Sequence, residues 1–204
     1  MVKRVKNKVD PTRERSSTVS EIVDAAKRLL SNSGLEQTTF THVAELVGVS
    51  VGTIYQHFPC KEALLDAVLE ERFSSAVALL EEAIESSEGL SLEERVRSLV
   101  RAMIEIKRAD VAQSRVLDHP TIKGLAKRHD ISSRACELVE DLLEDHSDEL
   151  KEVPITVAAF AVVFGLEGAL LRALESPDLL SDSNFVETLV RMTLGVLGRY
   201  SSDD

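Results

Sequence analysis

Gly52, Thr53, Gln56 and His57 lie within six residues of one another and set a hydroxyl, an amide and an imidazole beside a position without a side chain. Gathered on one face, such groups donate and accept hydrogen bonds in the way base edges and phosphates of a duplex require. Catalytic arrangements do not emerge from the same reading. The sequence holds no Gly-x-Ser-x-Gly, no paired metal ligands and no glycine-rich phosphate cradle. His119, His129 and His146 are spaced ten and seventeen apart, off any metal-ligand register. Cys60 and Cys136 form no CxxC pair and read as reduced thiols of a cytoplasmic protein. The expectation is a protein with no catalytic residues, no metal and no cofactor.

The elements that must carry those four residues are legible around them. The stretch "VGVSVGTIYQHFPCKEAL" (47–64) is a poor independent helix, because Val, Gly, Thr and Ile each cost a few tenths to about 1 kcal/mol relative to Ala. With Ser50 as a cap and 100° per residue, Ile54 and Phe58 share one side, flanked by Val51 and Tyr55. Gly52, Thr53, Gln56 and His57 take the other. The apolar side must be clamped to a preceding helix, capped by Thr39, in which Ala44 permits close approach and Gly48 allows a left-handed turn. This is a helix-turn-helix. A capping box from Thr18 to Glu21 and a stop at Gly34 bound a first helix, so three helices are predicted over roughly 18–58.

A long amphipathic helix begins at Lys61 and carries Leu64, Val68, Phe73, Leu80 and Ile84. After a loop at 85–91, further helical patterns cover roughly 91–109, 111–118, 121–149, 155–175 and 183–200. No strand pattern competes, so the fold class is all-α, with about nine helices. The domain reading is a basic arm at 1–16, a helix-turn-helix domain at 17–62 and a helical domain at 63–204. The apolar run from Ile155 to Leu166 is broken by Glu167, too short to span a bilayer, so no membrane partner is expected. Glu167 itself has three open destinations: the surface, a pair across an interface, or the wall of a cavity.

Charge follows the same division. The net charge is −11, yet residues 1–60 hold eight Lys/Arg against six acids, leaving sixteen against twenty-nine in the other 144. The first fifteen residues alone carry six Lys/Arg against two acids. A basic head on an acidic body suits an anionic partner. The arm is either a solvated tail or a phosphate or minor-groove contact.

The segment "TTFTHVAELVGVSVGTIYQHFPCKEAL" resembles the DNA-binding signature of the tetracycline-repressor family of transcriptional regulators over about 18–70. Beyond it, the chain matches that family only in helix number and length. The resemblance implies that the third helix enters the major groove of a double-stranded operator. Thr53 then meets a base or phosphate, Gly52 allows close backbone approach, and Tyr55 and His57 reach phosphates. Lys61 and the helix it starts would favour a phosphate, and Thr39 and Thr41 would bond the backbone across the groove. Gln56 adds an amide to the same face. Val51 departs from the polar residue usual there and either touches a thymine methyl or packs inward. His42 stands where an acid often completes the Thr39 cap, and Cys60 replaces a common Ser cap, a change that costs roughly 1 kcal/mol.

A single helix-turn-helix buries too little surface for selective affinity, so a homodimer on a pseudo-palindrome is expected. Ala158, Ala159, Gly165, Gly168 and Ala169 on one helix, with Phe185, Leu189, Met192 and Val196 on the last, are the candidate interface. Met103, Ile106, Val116, Phe160 and Phe164 are the candidate lining of a pocket for an apolar or amphipathic small-molecule effector that releases a repressor. Two rival readings are a helical enzyme built from scattered residues and an interaction adaptor. Turnover of a bound small molecule would favour the first, and failure to shift DNA the second.

Overall fold

The structure is a computed structural model that describes residues 11–111, 131–150 and 153–198. Among these, every regular element is helical: α1 (Pro11–Gln37), α2 (Phe40–Val47), α3 (Val51–His57), α4 (Lys61–Glu85), α5 (Leu92–Val111), α6 (Ile131–Glu144), α7 (Ile155–Ala173) and α8 (Ser183–Val196). Short 3-10 turns follow α6 and precede α8. The helix expected at 111–118 and the start of the one expected at 121 lie outside the described residues.

α1 differs from expectation at its start. It already runs at Pro11, so Thr18 sits inside the helix and the Thr18–Glu21 capping box does not form. Proline suits a first helical position because its missing N–H has no partner there in any case. The stop at Gly34 is seen: φ 78°, ψ 178° breaks the helix, and the buried Thr38 hydroxyl donates to the Gly34 carbonyl at 2.9 Å. Gly48 closes α2 in the left-handed region (φ 78°, ψ 29°) and its N–H donates to the Ala44 carbonyl.

The chain divides between Glu70 and Glu71 into two compact units. The first unit is the three-helix domain with the start of α4. Its core gathers Ile22, Ala26, Leu30, Val43, Ala44, Ile54, Phe58, Leu64 and Leu65. The second unit is built on α6 against α7, with α5 and α8 completing it. Buried positions on α6 (Ala135, Leu138, Val139, Leu142, Leu143) fall at helical spacing and form one stripe. α5 starts with a capping box in which Glu94 N–H donates to Ser91 Oγ at 3.4 Å and Ser91 N–H donates to Glu94 Oε2 at 3.1 Å. α7 is mostly apolar, interrupted by Glu167 and Arg172, and buries Ala158, Ala159, Val162, Val163, Leu166, Leu170 and Ala173 in this core. By length and composition it could also cross a membrane, but these seven positions belong to a protein interior.

Candidate nucleic-acid interface

α3 is held from both ends and from below. Ser50 Oγ accepts from Thr53 N–H at 3.0 Å, and the Phe58 N–H donates to the Ile54 carbonyl. Ile54 is fully buried and Phe58 nearly so. Burying the two together is worth about 3–6 kcal/mol, which exceeds the roughly 2 kcal/mol that Val51, Gly52 and Thr53 together forfeit as poor helix formers. The opposite side is open. Gly52 and Gln56 are exposed, Thr53 and His57 half-exposed, and Tyr55 is 58% exposed. Val51 is half-buried, between its two sequence readings.

Several of these side chains have partners that set their geometry. Thr53 Oγ1 lies 2.9 Å from Ser50 Oγ, so a hydroxyl–hydroxyl bond orients it at the first turn of α3. Tyr55 packs edge-on against Phe40 of α2, with centroids 4.9 Å apart and planes at 76°. That contact braces the ring while leaving most of it exposed. Thr39 caps α2 by accepting from His42 N–H at 3.3 Å, and Thr41 is exposed beside it. A Cβ built on Gly52 would meet only Ser50 Oγ, at 3.5 Å, an ordinary contact. The free protein therefore has room for alanine there.

Two residues tie this reader to the end of α1. His42 Nδ1 sits 2.7 Å from the Gln37 carbonyl, which fixes the tautomer with the proton on Nδ1. Lys61 Nζ donates to the Leu35 carbonyl at 2.6 Å. Both add a second hydrogen bond to carbonyls at the end of α1, which already accept from the Thr38 and Thr39 N–H groups. One of the three Lys61 N–H donors is thus committed within the protein, and two remain. The spacing in sequence pointed to Lys61 as a cation at a helix start; its bond to a carbonyl 26 positions away has no local signal.

The second unit sorts the remaining expectations. Met103 and Ile106 line a narrow apolar cleft with Leu80, Ala135 and Val163, of about 40 Å³. Glu167 stands on its wall, half-buried, and accepts a hydrogen bond from Ser132 Oγ at 3.3 Å. Phe160 and Phe164 do not line that cleft. They are 60% and 42% exposed on the outer side of α7, in contact with centroids 4.5 Å apart and planes tilted by 39°. The correction follows from phase: on α7 they share a stripe with Val157, Gly168 and Leu171, opposite the buried positions. Val116 lies outside the described residues. Of the candidate interface, Gly165, Gly168, Met192 and Val196 are exposed, and Ala169 and Phe185 half-buried. Ala158, Ala159 and Leu189 are corrections: they are buried in the chain's own core and cannot reach a partner.

The family description "Bacterial regulatory proteins, tetR family" matches residues 22–68, and "Tetracyclin repressor-like, C-terminal domain" matches residues 91–197. The chain belongs to the tetR family. It is similar at 29% identity, over 89% of its length and 90% of the relative's, to ArpR of Pseudomonas putida, named a probable HTH-type transcriptional regulator. It is 25% identical to the HTH-type transcriptional regulator UidR of Escherichia coli K12, over 97% of this chain and 98% of that one. A crystal structure of a tetR-family transcriptional regulator from Mesorhizobium loti superposes with TM-score 0.71 at 20% identity, covering 89% and 96% of the two chains. That likeness concerns the fold.

As a tetR-family protein, the chain is a helix-turn-helix transcriptional regulator. Sequence reasoning missed Phe40 as the brace of Tyr55 and His42 as a tie to α1. An aromatic in the first turn of α2 was a visible signal for the former. For the latter, the sequence shows only that no acid completes the Thr39 cap.

Proposed function

We propose that this tetR-family regulator is a cytoplasmic homodimeric repressor that reads a pseudo-palindromic double-stranded operator and is released by a small apolar or amphipathic effector, without catalysing a reaction. The observation that carries the reading is the division of α3, with Ile54 and Phe58 buried and Thr53, Tyr55 and Gln56 at the surface. In the complex, α3 occupies the major groove. Gly52 lets the backbone approach, Thr53 and Gln56 face base edges, and Tyr55, His57 and the two remaining Lys61 donors meet phosphates. Thr39 and Thr41 hold the opposite backbone.

The dimer forms on the outer stripe of α7 (Val157, Phe160, Phe164, Leu171) with Met192 and Val196 of α8. Met192 lies over Gly165, its terminal carbon 3.9 Å from where a Cβ would stand, so the two helices present one apolar surface. Exposed apolar surface of this extent is a feature of interfaces. The effector enters the cleft at Met103, Ile106 and Glu167. At about 40 Å³ that cleft has room for little more than water, so any larger ligand must part its walls. Leu80 of α4 is one of those walls, and Lys61 starts the same unbroken helix. An effector that favours the parted form lowers DNA affinity by its differential binding energy, about 1–3 kcal/mol in such couplings.

The deciding experiment is fluorescence anisotropy with duplex DNA from upstream of the protein's own gene. Salt-dependent, sequence-selective binding that Thr53→Ala weakens supports the reading. Binding indifferent to sequence, or unchanged in Thr53→Ala, removes it.

A further inference from the structure

Arg95, in the first turn of α5, is 2% exposed. Its Nη1 donates to Asp145 Oδ2 at 2.7 Å, but its Nε is buried with no acceptor. No other buried side-chain nitrogen or oxygen among the described residues lacks a partner. A guanidinium donor taken from water and left unmatched is unfavourable, so an acceptor from outside the chain is called for. Arg95 also forms part of the wall of a cleft of about 340 Å³ between the end of α4 and α6, within the range of small-molecule sites.

The rest of that wall states what else an occupant must carry. Glu81, Glu85, Glu88, Asp141 and Asp145 face Arg95 and Arg134, five carboxylates against two guanidiniums. Arg134 is already engaged by Glu81 at 2.8 Å and Glu137 at 3.0 Å, and Arg95 by Asp145. Glu85, Glu88 and Asp141 pair with no cation among the described residues. No group of three metal-ligating side chains is positioned to hold a metal ion among the described residues. An anion would satisfy Arg95 Nε but meet three unpaired carboxylates. A bare amine would satisfy the carboxylates and leave Nε as it is. A molecule bearing ammonium groups and hydroxyl oxygens answers both.

We propose that this cleft is a second small-molecule site, separate from the apolar one, that takes a hydroxylated polyamine of the aminosugar or aminocyclitol class. Its ammonium groups rest on Glu85, Glu88 and Asp141, and the Arg95 side chain turns toward the cleft so that its now-buried Nε donates to one hydroxyl oxygen. Arg95 is too buried to mutate safely, so the test varies the ligand and the exposed carboxylates. Isothermal titration of the full chain, without DNA and at low salt, compares 2-deoxystreptamine with cis-1,3-diaminocyclohexane, which keeps both amines and lacks the hydroxyls. The expected result is one 2-deoxystreptamine per chain, with the hydroxyl-free diamine about tenfold weaker for want of one charge-assisted hydrogen bond. The double variant Glu85→Gln/Asp141→Asn should melt like the wild type and lose about tenfold in affinity for 2-deoxystreptamine. Equal affinity for the two diamines, undiminished binding in the double variant, or no binding by the wild type would each overturn the proposal. Because no operator enters the measurement, failure of the repressor reading would leave this result intact.

Discussion

At the scale of single residues, Gly52 separates the needs of the fold from those of the duplex. Its conformation is helical rather than left-handed, and an alanine Cβ would meet only Ser50 Oγ at 3.5 Å. Alanine is favoured over glycine in a helix by about 1 kcal/mol. Gly52→Ala should therefore raise the melting temperature while weakening operator binding, because the added methyl stands where the DNA backbone approaches. A variant that gains stability and binds as before would show that α3 does not come close at this point. Tyr55→Phe makes a parallel distinction. It keeps the ring against Phe40 and removes only the hydroxyl, so stability should hold while affinity falls by about 1 kcal/mol, the worth of a hydrogen bond. Thermal melts paired with anisotropy read both effects.

At the scale of elements, Lys61 joins two helices: it starts α4 and holds the Leu35 carbonyl at the end of α1. Lys61→Met retains the apolar stem and removes the ammonium. It should lower stability by about 1.5–3 kcal/mol, the range for hydrogen bonds to charged groups, and reduce the slope of log affinity against log salt by about 1. An unchanged slope would leave Lys61 as a tie between helices and nothing more. The start of α5 offers a pH test. Glu94 is held below the ordinary carboxylate value of 4.5, first by the Ser91 hydroxyl and then by the Ser91 backbone N–H. A depressed folded-state value means that its stabilisation is complete above the unfolded value and fades as pH falls through the folded one. Glu94→Gln should lower the melting temperature at neutrality and converge on the wild type well below pH 4.5, which flattens part of the acid limb. Glu187, lowered first by its hydrogen bond from Arg97, titrates in the same direction and contributes the remainder of that limb with other carboxylates.

At the scale of the whole molecule, the outer stripe of α7 decides assembly. Phe160→Glu places a charge at a position already 60% exposed in the single chain, so the chain should fold normally. In a dimer that charge would be buried without a partner, at a cost of several kcal/mol, and sedimentation should show a monomer with weakened operator binding. A Phe160→Glu protein that remains dimeric would move the interface elsewhere.

Much of the reader was legible because its information is local. Ser50 as a cap, Gly48 as a left-handed stop, and the phase that buries Ile54 and exposes Gln56 all follow from a few neighbouring residues and a 100° step per residue. The all-helical class follows from the same periodicity. What the sequence could not determine were facts that depend on which neighbour a face meets. From Ile155 to Leu166 α7 has no polar side chain larger than a threonine, so that stretch carries little phase: Ala158 and Phe160 look equally suited to core, pocket or interface, and only packing against α6 and α8 assigned one inward and the other outward. Likewise, Lys61 meets Leu35, Arg95 meets Asp145 and Glu167 meets Ser132 across 26, 50 and 35 positions. Such pairings arise when helices dock, and no spacing along the chain encodes them.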